Sequence, residues 1–429
     1  MFKEINFDYL FKSSNIFEKF IFFIPISLVL GNFAINLNII LIILSFFFLA
    51  YLKKLALIKF FNNKLFLAFC IFALLNIFFS VDMYISSKAY LGILKHYLFF
   101  LALIFFLKKK QNLKCLSFIF FIVLNFVLFD TLLQFLTGKD LFGYESLISI
   151  GRDITSVRLS GPFGSELIVG GFLKNIFIIS ILIYLIIKKD TNFYLYLFFT
   201  LIMVFLSGER VSSVMFLMFA FMFLLFFNYS IKKKVLIMLA VFIASISTFY
   251  FNENLKKSTF DRTFKQLGII KSAESYKNHN NFWDSQWGAH FLTAYSIFNE
   301  KKMIGSGAKT FRVECKNEKY KLVKSARADV RCATHPHNIY LEILSETGLI
   351  GFIFFLYLVS KIFFMQIKNL FNASNDNYNL NLALLCIFII LFFPIQTTGS
   401  FFSTYNGFFY WFYAAVIYSN KYSINQYKI

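Results

Sequence analysis

Charge is scarce in this chain. Only 15% of its 429 residues are Asp, Glu, Lys or Arg, while 59% are hydrophobic. Histidines and cysteines number five each, and prolines four. The patterns these residues would form in a metalloprotein are missing: no CxxC pair, no Cys/His spacing of a zinc site and no HExxH helix. Gly305-x-Gly307 lacks the strand-turn-helix setting of a nucleotide fingerprint. The first residues, MFKEINFDYLFKSSNIFEKF, run into an apolar segment without a small-residue cleavage site. That segment is therefore expected to stay as a membrane anchor.

What remains is apolar sequence in long runs. With 21% aromatic residues and a mean hydropathy of +0.67, the chain reads as a polytopic membrane protein. A helix needs about 20 apolar residues to span a bilayer. Such segments lie near 18–34, 36–52, 64–80, 90–107, 115–136, 166–187, 192–207, 211–228, 234–251, 348–366, 379–396 and 404–420. The fold class expected is all-α and polytopic, with about 12 transmembrane helices. Residues 1–251 hold nine spans and a short outer loop near 137–165. Residues 252–347 form a large outer insert of helices lying on the membrane surface, and 348–429 hold the last three spans.

A net charge of +21 invites a nucleic-acid reading, which the placement of the lysines excludes. They cluster between apolar segments: Lys53, Lys54 and Lys59; Lys108, Lys109, Lys110 and Lys114; Lys188 and Lys189; Lys232, Lys233 and Lys234; Lys361 and Lys368; Lys421 and Lys428. Every cluster falls on one side if both termini are cytoplasmic. The insert, with Cys315 and Cys332, then faces the outer, oxidising compartment, which permits a disulfide. Closing a loop of that size stabilises by about 3 kcal/mol in the chain-entropy model. The bridge would tether the segment before His335; the alternative is two unpaired thiols.

Four stretches carry candidate chemistry. In RCATHPHNIYLEILSETGLIG, Pro336 suits the first turn of a helix, with Thr334 or His335 at its cap and His337 and Asn338 in that turn. A histidine at a helix start is disfavoured as imidazolium, and a neutral imidazole is what a general base needs. The bland alternative is a pair of interfacial helix-end histidines. In SGERVSS, Glu209 and Arg210 interrupt an apolar hairpin; the guanidinium offers a fork suited to phosphate, and the alternative is a paired surface turn. In VRLSGPFGSELIVGGFL, Arg158 precedes a Gly-Pro turn and Glu166 opens the sixth span. Arg152 is a weaker neighbour. In WGAHFLTAYSIFNEKKMIGSGAKTF, an amphipathic helix carries His290 and ends before the Gly305-x-Gly307 turn.

These stretches together resemble the O-antigen ligase and polymerase superfamily. THPHNIYLEILSETGLIG resembles its H-x-H-N signature, NEKKMIGSGAKTF its Gly-x-Gly element with Lys302 where proline is common, and LSGERVSSV its arginine hairpin. RLSGPFGSELIVGGFL resembles its loop before a span. The resemblance implies a metal-independent, inverting glycosyltransferase of the bacterial inner membrane, with no cofactor and with its active site on the periplasmic face. Its donor would be a glycan on undecaprenyl pyrophosphate. Its acceptor would be a lipid A-core sugar in the ligase branch and a lipid-linked repeat unit in the polymerase branch. His337 would be the base, and Arg158 and Arg210 would bind the pyrophosphate. His335 and Asn338 would orient the base or touch the acceptor, and Glu166 and Glu209 would position the arginines. His290, Arg262 and Arg312 would be lesser contributors. A lipid or polysaccharide transporter is the reading from another class; it would call for mid-span charges and internal repeats, of which Asp130 is one exception and no repeat is clear.

Overall fold

The computed structural model describes residues 16–53, 64–150, 155–187, 193–228, 230–250, 256–257, 261, 263–264 and 282–425. Arg152, Arg262, Lys54, Lys59, Lys188, Lys189 and Lys428 lie outside the described residues.

Each apolar segment read from the sequence coincides with helix. The first is α1 (Ile16–Lys19), a 3-10 turn and α2 (Ile24–Leu30), ended by Gly31 at φ 98°. Then come α3 (Asn32–Leu52), α4 (Lys64–Phe78), α5 (Met83–Leu107) and α6 (Lys110–Thr137). After a short hairpin follow α7 (Val169–Ile187), α8 (Phe193–Leu206), α9 (Arg210–Phe226) and α10 (Ile231–Tyr250). The insert contributes α11 (Gln286–Glu300) and the single turn α12 (Phe311–Glu314). The chain closes with α13 (Ile339–Phe371), α14 (Asn375–Leu391) and α15 (Thr404–Asn425). Among the described residues four helices, α3, α5, α6 and α13, are long and apolar enough to cross a membrane. Shorter apolar stretches accompany them over Lys64–Phe78, Val169–Leu182, Phe193–Leu206, Arg210–Phe226 and Asn377–Leu391. The helices pack in a shared core: α6 lies along α7, α5 along α15 and α13 along α14.

Two features depart from the expected all-α chain with simple spans. The loop near 137–165 holds an antiparallel pair, β1 (Leu147–Ile150) and β2 (Thr155–Arg158), in which Leu147 faces Arg158. Ile148, Ile150, Thr155 and Val157 are β-branched, and such side chains favour a pleated strand. The hairpin places Arg158 at a strand end. The second departure is α13, whose first turn begins at Ile339 rather than at Pro336 and which runs on through the span expected at 348–366, with a break at Gly348 (φ 64°, ψ −168°). The histidine motif and the span it precedes are thus one kinked helix.

That kink exists because another backbone leans on it. A Cβ on Gly348 would lie 2.4 Å from the Met303 carbonyl carbon, and one on Gly305 would lie 2.4 Å from that of Glu346. The two strands of chain are stitched by Ser306 N to Ser345 O (3.0 Å), Gly307 N to Glu346 O (2.8 Å) and Leu349 N to Lys302 O (2.8 Å). Asn76 on α4 clamps the junction: its amide donates to Ile304 O (2.6 Å) and Glu346 O (3.0 Å) and accepts from Ala308 N (3.0 Å). So the Gly-x-Gly element is a docking turn, and Lys302 contributes only its carbonyl. Beyond it, Ala294, Ile297, Phe311 and Tyr320 form a small core of their own, beside the disulfide that joins Cys315 to Cys332.

Gly305 sits at φ 81° against backbone, whereas Gly92, inside α5, has nothing within 4 Å of an added Cβ. Gly305→Ala should therefore destabilise by about 2–5 kcal/mol, from left-handed strain plus overpacking. Gly92→Ala should be neutral or slightly stabilising, because alanine favours the helix. Thermal unfolding of the two variants in the same detergent checks the contrast.

Candidate functional site

One large cavity dominates the described residues, with a volume of about 2860 Å³. Its apolar flank is built by α9 and α10, with Leu217, Phe221, Leu239 and Phe242 turned into it. At its head stand Arg158, Lys174, Glu209 and Arg210.

Glu209 is the anion set among these cations. It is the residue before α9, in an extended conformation, and its carboxylate reaches across to the start of α7. There it accepts from Gly170 N (2.8 Å), Gly171 N (3.0 Å) and the Ser212 hydroxyl (2.9 Å). The first N–H groups of a helix lack partners within it and favour negative charge. Glycine is needed there, because a Cβ at Gly170 would lie 2.5 Å from Ser207 Oγ and 3.1 Å from Glu209 Cβ. Burial pushes the Glu209 carboxyl up; the neighbouring Arg158 and the three donors oppose that push. Arg158 also donates to Leu167 O at 3.4 Å. Arg210, the first residue of α9, donates to the Thr263 hydroxyl at 3.2 Å.

Lys174 is the member that sequence reasoning missed. It is buried on α7 and lines the cavity. Its signal was available: a lone lysine three residues after Gly171, inside an otherwise apolar run. Glu166 behaves differently from the expectation. It lies before α7, not in it, and its exposed side chain makes no hydrogen bond or ion pair among the described residues.

The histidines form a second cluster against the cavity wall. Asn338, not Thr334 or His335, caps α13: its side chain accepts from Tyr340 N (3.0 Å) and Leu341 N (3.1 Å). Its amide donates to Pro394 O at 2.8 Å. Asn338 thereby ties the start of α13 to the 394–396 segment. His337 thus lies outside the helix, in a left-handed conformation (φ 59°), with its carbonyl accepting from Thr398 N at 2.7 Å. His335 places Nε2 3.1 Å from Thr398 O and Nδ1 2.9 Å from the Thr334 hydroxyl, so Nε2 carries the proton and Nδ1 accepts. His290 donates from Nε2 to Val330 O (2.9 Å), while its Nδ1 is buried without a partner.

The three rings touch. His337 lies 4.1 Å from His335 and 5.3 Å from His290 between centroids, and Trp287 meets it edge-on at 4.9 Å. Burial, then the neighbouring His335 and His290, lower the His337 pKa to about 3. Burial lowers His335 to about 4, with Arg312 and Lys309 adding to the effect. The imidazoles are therefore neutral at physiological pH, chiefly because they are desolvated, not because of the helix end. Among the described residues no group of three or more His, Cys, Asp or Glu is arranged to hold a metal ion. The His337 ring itself is not part of the cavity lining, but Trp287, Asn338 and Thr398, which surround it, are. Arg312 lies off the cavity, with its Nε buried and unpartnered.

Residues 195–356 match the O-antigen ligase family. The match spans the Glu209–Arg210 hairpin, the insert and the histidine motif, and it leaves the Arg158 loop outside. The match supports the resemblance to the O-antigen ligase and polymerase superfamily over that segment. No curated protein matches the chain.

The lowered histidine pKa values tie stability to pH. An unfolded histidine titrates near 6.5, while folded His335 and His337 titrate near 4 and 3. Between those values the unfolded chain binds more protons, so stability is full above about pH 6.5 and falls as pH drops toward 4. The double variant His335→Asn/His337→Asn should lose less stability than the native chain between pH 7 and 4.5, measured by thermal unfolding.

Proposed function

We propose that this protein is an O-antigen ligase of the bacterial inner membrane. It transfers a glycan from undecaprenyl pyrophosphate to a hydroxyl of lipid A-core on the periplasmic face. One observation carries the reading: a single cavity joins an apolar flank on α9 and α10 to a head bearing Arg158, Lys174 and Arg210, and its wall is shared with the residues around a neutral histidine. An apolar polyprenyl chain with a pyrophosphate end is complementary to that arrangement.

In the reaction the acceptor hydroxyl oxygen attacks the anomeric carbon, and the bond from that carbon to the pyrophosphate oxygen breaks. The electron pair leaves with the pyrophosphate, and attack from the opposite face inverts the centre. His337 takes the hydroxyl proton. Arg158, Arg210 and Lys174 stabilise the charge that grows on the leaving group, which is where preorganised cations contribute most. Glu209 positions Arg158. His335, held through Thr398, and His290, held through Val330, keep the His337 ring in place.

Because His337 occupies a left-handed backbone, asparagine is the informative replacement: it tolerates that conformation and cannot serve as the base. His337→Asn should insert normally and lose at least about 100-fold in transfer of lipid-linked glycan to lipid A-core, within the usual range for general-base catalysis. Transfer at the native rate would remove His337 from the role. The acceptor is checked separately in a strain lacking the protein. Long glycan accumulating on the lipid carrier is expected for a ligase; carrier loaded with single repeat units would make the protein a polymerase instead.

A further inference from the structure

Two residues that touch His337 also face the cavity. The Thr398 amide donates to the His337 carbonyl, and the Trp287 ring stands edge-on to the imidazole. The backbone of Thr398 is fully used, since its carbonyl also lies 3.1 Å from His335 Nε2. Its hydroxyl is not used: Thr398 Oγ1 is buried with no hydrogen-bond partner among the described residues. Tyr405 Oη, on the same cavity, is in the same condition. A buried hydroxyl left unpaired is costly, so a cavity occupant that brings its own hydroxyls gains from meeting these two.

The neighbouring wall is aromatic. Trp283 lines the cavity with its side chain half exposed (50%), although its backbone is held from two sides. Its carbonyl accepts from the Ser325 hydroxyl at 2.7 Å. Its Cα packs so closely on α11 that a Cβ at Gly288 would lie 2.4 Å away. An indole with a fixed backbone and an exposed ring is a platform that loses little freedom on binding. A platform and unpaired hydroxyls lining one cavity match a pyranose, which has an apolar C–H face and a hydroxylated rim. A polyprenyl tail would match only the platform.

We propose that Trp283, Trp287 and the Thr398 hydroxyl form a saccharide subsite that seats the sugar ring next to the reacting one. This rests on the glycosyl-transfer reading above. It goes further by assigning glycan selection to these side chains of the insert and of the 394–399 segment, apart from the pyrophosphate end.

The test uses the full chain in detergent and the oligosaccharide released by mild acid from the lipid-linked pool of the expressing cells. Calorimetry should show saccharide binding that weakens up to about tenfold in Trp283→Ala, the upper range for one aromatic contact. Thr398→Val should weaken binding several-fold, and Thr398→Ser should restore it. Trp411→Phe, on α15, should leave affinity unchanged and control for general effects of tryptophan loss. A kinetic arm assigns the source. In Trp283→Ala a raised KM for the lipid-linked donor places the subsite on the donor glycan, and a raised KM for the core acceptor places it there instead; in both cases kcat should change less than threefold. Absence of saccharide binding by the native chain, unchanged affinity in Trp283→Ala, or a fall in kcat with both KM values intact would overturn the subsite. If calorimetry shows the expected pattern while no transfer occurs, the subsite stands and the enzymatic reading fails.

Discussion

Two carboxyl groups one helical turn apart organise most of what surrounds the histidines. On α13, Glu342 accepts from the Ser400 hydroxyl (2.5 Å) and the Phe401 amide (2.7 Å), and Glu346 accepts from the Lys309 and Phe311 amides. Both side chains are almost wholly buried, at 1% and 0% exposure. A buried carboxyl group that loses its donors is far more expensive than one that keeps them. The segment 398–401 and the turn 305–311 therefore cannot leave α13 without stranding one of these groups. Thr398, which holds His335 and His337, rides on the first segment, and the Gly-x-Gly element rides on the second. The geometry of the histidine cluster is thus set by residues that need not touch a substrate.

Glu209 does the same work at the cavity head. Its oxygens are taken by the first amides of α7 and by Ser212, and that fixes the hairpin from which Arg210 projects and the charge beside which Arg158 lies. In both places glycine is the enabling residue. Gly170 allows the carboxylate to reach the helix start, and Gly305 with Gly348 allows two backbones to meet. The four motif-bearing stretches are therefore two docked pairs, each closed by an acidic side chain.

Much of this was legible in the sequence, for identifiable reasons. Apolar runs near 20 residues mark helices because the backbone must satisfy itself in a bilayer, so the helices lie where hydropathy put them. Glu342 and Glu346 share a face by simple i, i+4 periodicity. Other features were hidden because they depend on tertiary partners. The cap moved to Asn338 because its amide finds Pro394 O, 56 residues away, and no local pattern announces that. Of Glu166 and Glu209, both close to an arginine in the chain, it is the charge of Glu209, across the α7–α9 junction, that acts on Arg158. Lys174 was overlooked because averaging over an apolar window dilutes one charge. The strands β1 and β2 do not announce themselves in the sequence, because four residues each are too short to stand out beside long apolar runs.

The placement of the cap also divides the labour of the site. Asn338 occupies the first amides of α13, so that helix end is not available to an anion, and the positive groups of the cavity are instead the side chains at its other end. His337 is left in a pocket of rings, where burial and the neighbouring His335 and His290 lower its pKa to about 3. It is therefore neutral across the physiological range, and it owes that state to the rings and backbone packed around it rather than to a helix end.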